Sequence, residues 1–498
     1  MRTLTAFISR RLVASIAVGV ALGLLFAVAG PMVVFGGLAT IAIGVLAFTS
    51  PEMVVLALLC FASGLIPDRY NQSVDLLVGH LQVSDLMLIW LLLVVVIRAL
   101  GERSFQFTRT PIDKPVALFF GAYSVGVLTA VLGSDLSFSD ATYEARTMIY
   151  YLALFPIVNL VNTKERLVRL SKGILTIGLL LAILMLIETS LEAPALLGGG
   201  HSISRGSGSV RIYHPGYTTV YVALMGLLGR VALDDRQRSM HLNAVLALVL
   251  GSALFLTLGR NVLVSGALMI VFLATILRKP ELTRLSQHFP IIALIVVMLA
   301  SVITLADKQT WFLAQSREYV DRLSRMFSSD ILSTSETLAF RLEELKFAWR
   351  QIAGHPLLGI GLNNPYRPPF YPGEPQGLSL YVHNGYISIL LKTGLLGLLP
   401  FIWFSLNCVR GTLQHWRDIE HPLLRGTALG FALAYLGMMI SNLVAPSFVE
   451  PGSLVIFGIV LGINESILAQ NSNAGNLHGR TVPPPRPLIA GYRSYSAG

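Results

Sequence analysis

A series of apolar segments, each about as long as a membrane-crossing helix, constrains the fold of this chain more than any other feature. A helix needs about 17 to 25 apolar residues to cross the hydrocarbon core of a bilayer. With a mean hydropathy of +0.68 and only 13% charged residues, the chain is too apolar for a soluble domain. We therefore predict an all-α, polytopic integral membrane protein with about fourteen transmembrane helices, a count of about twelve being the alternative. The predicted spans are 12–29, 31–49, 52–66, 85–100, 115–133, 146–161, 173–188, 217–233, 242–258, 261–277, 290–306, 386–409, 424–443 and 452–469.

Lysine and arginine lie mostly in the short loops on one side of these spans. Cytoplasmic loops are enriched in both residues, so this side is predicted to be cytoplasmic. The opposite loop at 134–145 carries Asp135, Asp140 and Glu144 without any lysine or arginine. An even number of spans then places both termini in the cytoplasm. The net charge of +10 follows from this topology, and we predict no nucleic-acid partner.

The predicted domain organisation is a single transmembrane domain over 1–469, followed by a short tail. Two loops on the extracytoplasmic side are long, 189–216 and 307–385, and long loops of membrane proteins often carry function. The tail at 470–498 is rich in proline, serine and glycine and poor in apolar residues. It is therefore predicted to be a disordered cytoplasmic tail.

The larger loop is predicted to be partly helical. Its apolar residues recur every three to four positions, which predicts an amphipathic helix whose apolar face lies on the membrane or on the bundle. A second helix is predicted upstream, around 309–327. The proline-rich stretch at 365–375 is incompatible with regular structure and predicts a lid or rim loop. The apolar positions are Leu338, Leu342, Leu345, Trp349 and Ile352.

The chain lacks the motifs of nucleotide and metal enzymes. It has no Walker or dinucleotide fingerprint, no HExxH and no paired aspartates suited to a nucleotide sugar. Cys60 and Cys408 both lie inside apolar runs, which argues against a disulfide framework or a thiolate metal site. We predict no cofactor and no metal.

Several arginines are predicted to lie at the extracytoplasmic ends of the spans. Arg260 interrupts an almost continuous apolar stretch, and charges at membrane depth usually face a polar cavity, although an arginine that snorkels to the interface is the alternative. Arg146 follows the acidic loop and could instead pair with Glu144 or Asp140. Arg205 and Arg211 lie in the first long loop, where exposed arginines are common.

Two residues of the larger loop complete the candidate site. Arg341 lies beside the apolar face of the predicted helix, although most charges there should form a solvated face. His383 lies just before span 386–409, and an imidazole can serve as a general base at neutral pH, although a lone histidine is usually structural. Arginines that converge on this side could bind a lipid diphosphate, because guanidinium groups bind phosphate oxygens bidentately.

Four motifs in the larger loop and at the beginning of the next span occur in a characteristic order. They are Arg341-Leu-Glu-Glu-Leu-Lys-Phe-Ala-Trp349, His355-Pro-Leu-Leu-Gly-Ile-Gly361, and His383-Asn-Gly-Tyr followed by Lys392-Thr-Gly-Leu-Leu-Gly397. Over about 341–400 the chain resembles the O-antigen ligase and Wzy-type polysaccharide polymerase superfamily of bacterial membrane glycosyltransferases. The hydropathy profile agrees over the remainder of the chain.

The resemblance implies transfer of a glycan from undecaprenyl diphosphate to an acceptor hydroxyl, without nucleotide sugar or metal, at the periplasmic face of the bacterial inner membrane. His383 takes the family's histidine position and would orient or deprotonate the acceptor hydroxyl. Arg341 matches the family's loop arginine, and Arg260 is the third predicted catalytic residue. The predicted diphosphate-binding residues are Arg146, Arg260 and one of Arg205 and Arg211.

The resemblance leaves the acceptor open. The count of about fourteen spans, against about twelve in the ligase branch, favours a polymerase of exopolysaccharide or O-antigen repeat units, with a chain-length regulator protein as a further partner. The alternatives are a ligase that transfers finished glycan to lipid A core and, from a different class, a transporter or flippase of the lipid-linked sugar. Transporters often contain inverted repeats and broken midmembrane helices, and neither is clear in this sequence.

Overall fold

The computed structural model describes residues 42–67, 70–71, 73–76, 79–134, 136–190, 201–204, 210–233, 240–257, 259–288, 336–370, 372, 374 and 376–478. The predicted spans 12–29 and 290–306, most of the span 31–49 and the predicted helix at 309–327 lie outside these residues.

Helices dominate the described part of the chain. Six of them are long and apolar enough to cross a membrane, and each coincides with a predicted span. Four shorter apolar helices coincide with four further spans. An α-helical membrane protein is thus confirmed, while the total of about fourteen spans stays a prediction. The α-helices are α1 (Pro51–Ala62), α2 (Val83–Gly101), α3 (Asp113–Gly133), α4 (Phe138–Met148), α5 (Leu154–Leu160), α6 (Lys164–Ser190), α7 (Tyr217–Leu233), α8 (Met240–Leu256), α9 (Arg260–Ile276), α10 (Lys279–Ser286), α11 (Glu336–Gly354), α12 (Gly385–His415), α13 (Pro422–Ser441) and α14 (Pro451–His478).

Two short antiparallel hairpins depart from the all-α prediction. β1 (Ser73–Leu76) pairs with β2 (Gly79–Gln82), and β3 (His201–Ser204) pairs with β4 (Val210–Tyr213). Each hairpin lies between two helices. Strands this short span too few residues to produce a recognisable alternation of apolar and polar side chains, so the sequence did not predict them.

The predicted span 146–161 is wrong as a single helix. A 3₁₀ turn at Ile149–Ala153 separates α4 from α5. This turn brings the Tyr150 hydroxyl to Asp85 at the start of α2, where it donates a hydrogen bond of 2.6 Å to Oδ1. Pro156 then falls in the first turn of α5, where its missing N–H breaks no intrahelical bond. The interruption therefore coincides with a side-chain hydrogen bond between two elements and with a proline in a position that a new helix start tolerates.

The helices α7 and α13 pack closely in the core of the bundle. A Cβ atom on Gly229 of α7 would overlap the carbonyl oxygen of Gly426 of α13. Small residues let helix backbones approach closely, and this gain in van der Waals contact replaces the hydrophobic driving force that is missing between helices in lipid. This close approach holds the beginning of α13 against the end of α7, at the end of the bundle opposite Ser441 and Tyr217.

The motif at 355–361 lies against a kink in α12. At Gly394 the backbone has φ of 63° and ψ of −162°, which interrupts the helix. The freed N–H of Leu396 donates instead to the carbonyl of Leu357 at 3.2 Å. A Cβ atom on Gly394 would overlap that carbonyl. The loop at 355–361 and the kinked motif at 392–397 thus form one structural unit. A loop carbonyl accepts the N–H that the kink leaves without an intrahelical acceptor.

A buried lysine holds this unit to the rest of the bundle. Lys392 Nζ donates a 2.6 Å hydrogen bond to the carbonyl of Asn364 and lies 3.7 Å from Oε2 of Glu144 on α4. The same Oε2 accepts the N–H of Asn363 at 2.6 Å. Glu144 thus contacts Lys392 of α12 and the backbone of Asn363. It does not pair with Arg146, which was one alternative predicted from the sequence.

The apolar face predicted for α11 could lie on the membrane or on the bundle, and most of it does not lie on the bundle. Leu342, Leu345 and Trp349 of its predicted apolar face are exposed, Trp349 by 59%. The face that packs on the bundle instead contains Ala348 and Ile352. The bundle-facing alternative is therefore wrong for the three exposed residues. They form an outward apolar stripe along the helix.

Most of the predicted disordered tail at 470–498 lies outside the described residues and stays a prediction. The last helix, α14, continues to His478, past the predicted beginning of the disordered tail at 470. Residues 479–498 lie outside the described part of the chain.

Candidate active site

The turn between α13 and α14, residues 442–450, organises one end of the bundle, which we call the mouth. Side chains from several elements hydrogen bond to this turn or to its edge. The elements are the 3₁₀ turn and the beginnings of α7, α9 and α12, so the mouth is where distant parts of the sequence meet. The bonds are Tyr151 Oη to Phe448 O (3.4 Å), Tyr217 Oη with Ser447 Oγ (2.6 Å), Asn261 Nδ2 to Ser441 Oγ (2.7 Å) and Asn384 Nδ2 to Leu443 O (2.8 Å).

The motif His383-Asn-Gly-Tyr places a histidine at the mouth. Asn384 is the N-cap of α12, and its Oδ1 accepts the N–H groups of Tyr386 and Ile387 at 3.0 Å each. Such a cap satisfies backbone donors that have no intrahelical acceptor. Because Asn384 also donates to Leu443, the preceding residue His383 is held beside the turn.

The imidazole of His383 is bonded to a buried carboxylate. Its Nδ1 lies 2.8 Å from Oε2 of Glu344 on α11. The side chain of Glu344 is 1% exposed, whereas that of His383 is 27% exposed, so the imidazole can be reached from solvent and the carboxylate cannot. Within the described part of the chain, Nε2 of His383 makes no hydrogen bond. The rings of Tyr381 and Phe340 flank the imidazole, with centroid distances of 5.4 and 6.2 Å.

The proline-rich loop is built around a buried ion pair. Arg367 donates to both carboxylate oxygens of Glu374, at 2.9 and 2.8 Å, and its guanidinium stacks 3.9 Å above the ring of Phe370. The hydrogen bonds from Arg367 hold the pKa of Glu374 below its ordinary value, so both groups stay charged. Arg367 Nη2 also lies 4.0 Å from Oε1 of Glu344. The loop is therefore fixed against the histidine site.

Arg341 lies one helical turn before Glu344 on α11. Burial lowers the pKa of its guanidinium, an effect that the nearby Glu344 carboxylate opposes. Its Nε is buried without a hydrogen-bond partner, and no carboxylate within the described residues forms an ion pair with it. A guanidinium in this environment has lost part of its hydration without receiving a full counter-charge. Arg341 is thus suited to receive an anion.

Arg146 ends α4 on the same side of the bundle as the mouth. Its Nε lies 3.6 Å from Oδ2 of Asp85, and its guanidinium lies 5.3 Å from the ring centroid of Tyr143. Asp85 is fully buried and also accepts the hydroxyl of Tyr150 and the N–H of Gln82. The carboxylate partner of Arg146 is therefore Asp85, rather than the neighbouring residues considered from sequence.

The other predicted arginines are placed less closely to His383. Arg260 begins α9 and is partly buried, and the next residue, Asn261, is bonded to the edge of the mouth at Ser441. Arg211 lies in β4 opposite Ile203, which locates its backbone only. Arg205 lies outside the described residues. The structure thus brings His383 and Arg341 together around Glu344, with Arg146 and Arg260 on other elements around the mouth.

Sequence analysis missed the contribution of Glu344, which it grouped with a solvated face. That interpretation suits its neighbour Glu343, which is half exposed and paired with Lys346 at 2.6 Å. Glu344, however, is four residues before Ala348 and eight before Ile352, both buried. This spacing puts all three on one face of a helix and was the available signal. Arg367 and Glu374 carried no comparable signal, because their pairing depends on an irregular loop.

No grouping of three or more His, Cys, Asp or Glu side chains in the described residues could hold a metal ion. The candidate site therefore consists of an accessible imidazole, a buried carboxylate and guanidinium groups. These can accept a proton and bind an anion.

Comparison with known protein families agrees with the motifs. Residues 244–402 match the family model described as O-antigen ligase. The match confirms the resemblance to the O-antigen ligase and Wzy-type superfamily. The O-antigen ligase match runs from α8 into α12 and includes Arg260, Arg341, Glu344 and His383. No curated protein matched the chain.

Proposed function

We propose that the protein is a membrane glycosyltransferase that moves a glycan from undecaprenyl diphosphate to an acceptor hydroxyl. The proposal rests on one observation: His383 and Arg341 both lie close to Glu344, and all three residues belong to the segment that matches the O-antigen ligase family. An accessible imidazole and a partly desolvated guanidinium are the two groups that such a transfer needs. One activates the nucleophile, and the other stabilises the leaving group.

In the proposed reaction, His383 Nε2 accepts the proton of the acceptor hydroxyl as the hydroxyl oxygen attacks the anomeric carbon of the donor. The bond between that carbon and the diphosphate oxygen breaks, and the lipid diphosphate leaves with the bonding electrons. Arg341 is the nearest candidate to bind the departing oxygens, because it combines partial burial with the lack of an ion pair in the described residues. A guanidinium can bind phosphate oxygens at two donors and remains charged at physiological pH.

Arg146 and Arg260 are proposed to bind the remainder of the diphosphate, together with Arg205 or Arg211. Their positions on elements around the mouth support this assignment for the first two. Arg146 already faces Asp85, so we expect its contribution to be weaker than that of a guanidinium without a carboxylate neighbour. The lipid tail of the donor would remain in the bilayer.

The proposed topology places the mouth at the periplasmic face of the bacterial inner membrane, with about fourteen spans and both termini in the cytoplasm. Ten apolar helices that coincide with predicted spans support this arrangement. Arginines at the opposite end of α12 and α13 also support it, such as Arg417 after α12 and Arg425 in the first turn of α13.

We propose repeat-unit polymerisation as the reaction, with transfer to lipid A core as the alternative. The test uses purified protein in nanodiscs with undecaprenyl diphosphate-linked repeat units, no nucleotide and no added metal, followed by glycan sizing on a gel. Wild type, His383→Ala and His415→Ala are compared. His415 is exposed at the far end of α12 and is the matched control.

A ladder of products that is lost in His383→Ala and kept in His415→Ala would support a polymerase with His383 as its base. Product that appears only after lipid A core is added would establish a ligase instead. Donor binding without product in both formats would contradict an enzyme and favour a transporter of the lipid-linked sugar.

A further inference from the structure

Glu344 is a buried carboxylate beside the proposed base, and no role in the reaction has yet been assigned to it. Its carboxylate is buried on α11, with one oxygen 2.8 Å from His383 Nδ1 and the other 4.0 Å from Arg367 Nη2. Burial and the charge of Glu344 both raise the pKa of the neighbouring Tyr366 hydroxyl. A buried carboxylate is costly unless cations and hydrogen-bond donors compensate it. The imidazole supplies a hydrogen bond to Oε2, and Arg341 and Arg367 supply nearby positive charge, while Oε1 makes no hydrogen bond among the described residues.

The hydrogen bond to Glu344 determines which nitrogen of His383 carries the proton. An ionised carboxylate can only accept hydrogen bonds, so Nδ1 must be the protonated nitrogen of the neutral imidazole. The lone pair then lies on Nε2, the nitrogen that makes no hydrogen bond among the described residues. The part of the ring that is exposed at the mouth is thus able to accept a proton.

The same contact also restricts the ring in space. His383 is followed by the capping residue Asn384, which fixes its backbone, and Glu344 fixes its side chain from the opposite element. Arg367, held rigidly by Glu374 and Phe370, limits movement of the carboxylate in turn. Two independent elements therefore set the direction of the Nε2 lone pair.

We propose that Glu344 is the positioning residue of His383: it selects the tautomer with an unprotonated Nε2 and stabilises the imidazolium that forms when the acceptor hydroxyl is deprotonated. This inference rests on the proposed function of His383. Glu344 does not touch the substrate in this scheme. It acts by holding a negative charge against the ring while the ring becomes positive.

The test compares Glu344→Gln with Glu343→Gln, its neighbour on the same helix, in the transfer assay. Glu343 is half exposed and pairs only with Lys346 among the described residues, so it is a matched control. For Glu344→Gln we expect kcat to fall by about 10²- to 10⁴-fold with little change in KM, because the positioned base is affected and binding is not. Glu343→Gln should retain wild-type activity.

The pH profile provides a second measurement, which a purely structural role would not move. Among the described residues, the charged groups around the imidazole are Glu344 and Arg341 on α11, Arg367 in the loop, and Glu450 before α14. Glu450 acts electrostatically on Tyr381, next to His383. Glu344→Gln removes only the negative charge that stabilises the imidazolium. The acid limb of the kcat profile should therefore move to lower pH.

A double variant separates this inference from the proposed function. If Glu344 acts through His383, then Glu344→Gln combined with His383→Ala should be no slower than His383→Ala alone. Glu344→Asp keeps the negative charge and should therefore recover part of the activity. If gel filtration shows that Glu344→Gln does not fold, Glu344→Asp replaces it in the test.

Normal kcat and an unchanged pH profile in Glu344→Gln, beside an inactive His383→Ala, would overturn the positioning role alone. Wild-type activity in His383→Ala would overturn the role of His383 as the base, and the inference with it. Additive losses in the double variant would also contradict action through His383.

Discussion

Arg341 is the residue at which electrostatics most clearly indicates an anion. Its guanidinium is partly buried, its pKa is lowered by burial, and the nearest negative charge belongs to a carboxylate already engaged with His383 and near Arg367. Burying a cation without a full counter-charge costs stability. A diphosphate bound at the mouth would supply the missing negative charge, since phosphate oxygens match the two-donor edge of a guanidinium.

Arg341→Lys should lower turnover by on the order of 10²-fold, because a lysine keeps the charge but loses the paired donors. The measurement is steady-state transfer with purified protein in nanodiscs. Arg350→Lys is the matched control on the same helix, since Arg350 is exposed and stacks on Phe347 at 5.7 Å. Equal activity of Arg341→Lys and wild type would remove Arg341 from the proposed leaving-group site.

At the scale of elements, the kink in α12 links two motifs that are separate in the sequence. The loop at 355–361 crosses the kink at Gly394, and its carbonyls accept the N–H groups that the kink leaves free. Buried backbone donors need such acceptors, above all in a membrane, where water is scarce. This contact accounts for one glycine of each motif, because a Cβ atom on Gly359 would overlap the backbone of Lys392 and one on Gly394 would overlap the carbonyl of Leu357.

Gly394→Ala should destabilise the protein by about 1–3 kcal/mol, since the left-handed φ disfavours a side chain and the new methyl group would meet the carbonyl of Leu357. The apparent melting temperature in detergent should drop by several degrees. Gly121→Ala is the matched control, because a Cβ atom there meets no neighbouring atom and Gly121 also lies in a membrane helix. Equal melting temperatures for the two variants would contradict this account of the kink.

On the scale of the whole molecule, the mouth and the opposite end of the bundle differ in structure. The mouth gathers His383, Arg341 and the turn at 442–450, whereas the far end of α12 leads into a loop that contains Arg417 and Glu420. In the proposed topology, which follows the positive-inside bias, that far end lies in the cytoplasm. This arrangement would let a lipid-linked donor enter from the outer leaflet.

Membrane sidedness can be measured with single cysteines and a membrane-impermeant maleimide. Glu343→Cys, beside the mouth, should be labelled from the periplasmic side, and Glu420→Cys should be labelled only after the inner membrane is permeabilised. Both positions are exposed, and wild type serves as background because Cys60 and Cys408 lie within apolar helices, Cys408 fully buried. The reverse labelling pattern would invert the proposed topology and place the site in the cytoplasm.

The sequence by itself determined the class of the protein and the positions of most helices. Runs of apolar residues long enough to cross a bilayer identify helices without knowledge of their neighbours, because every backbone group of such a helix is satisfied within it. The prediction failed at 146–161, where a 3₁₀ turn whose Tyr150 hydroxyl donates to Asp85 interrupts the span. That bond joins residues far apart in the chain, and hydropathy does not record it.

Only the tertiary structure decided which polar groups meet at the mouth. His383 and Arg341 were predicted from their motifs, yet Glu344 was assigned to a solvated face and Arg146 was given the wrong acidic neighbours. The pairs His383–Glu344 and Arg146–Asp85 join different elements, at distances set by helix packing and by an irregular loop. A sequence fixes which charges are present, whereas their burial and their partners depend on how the helices are arranged around them.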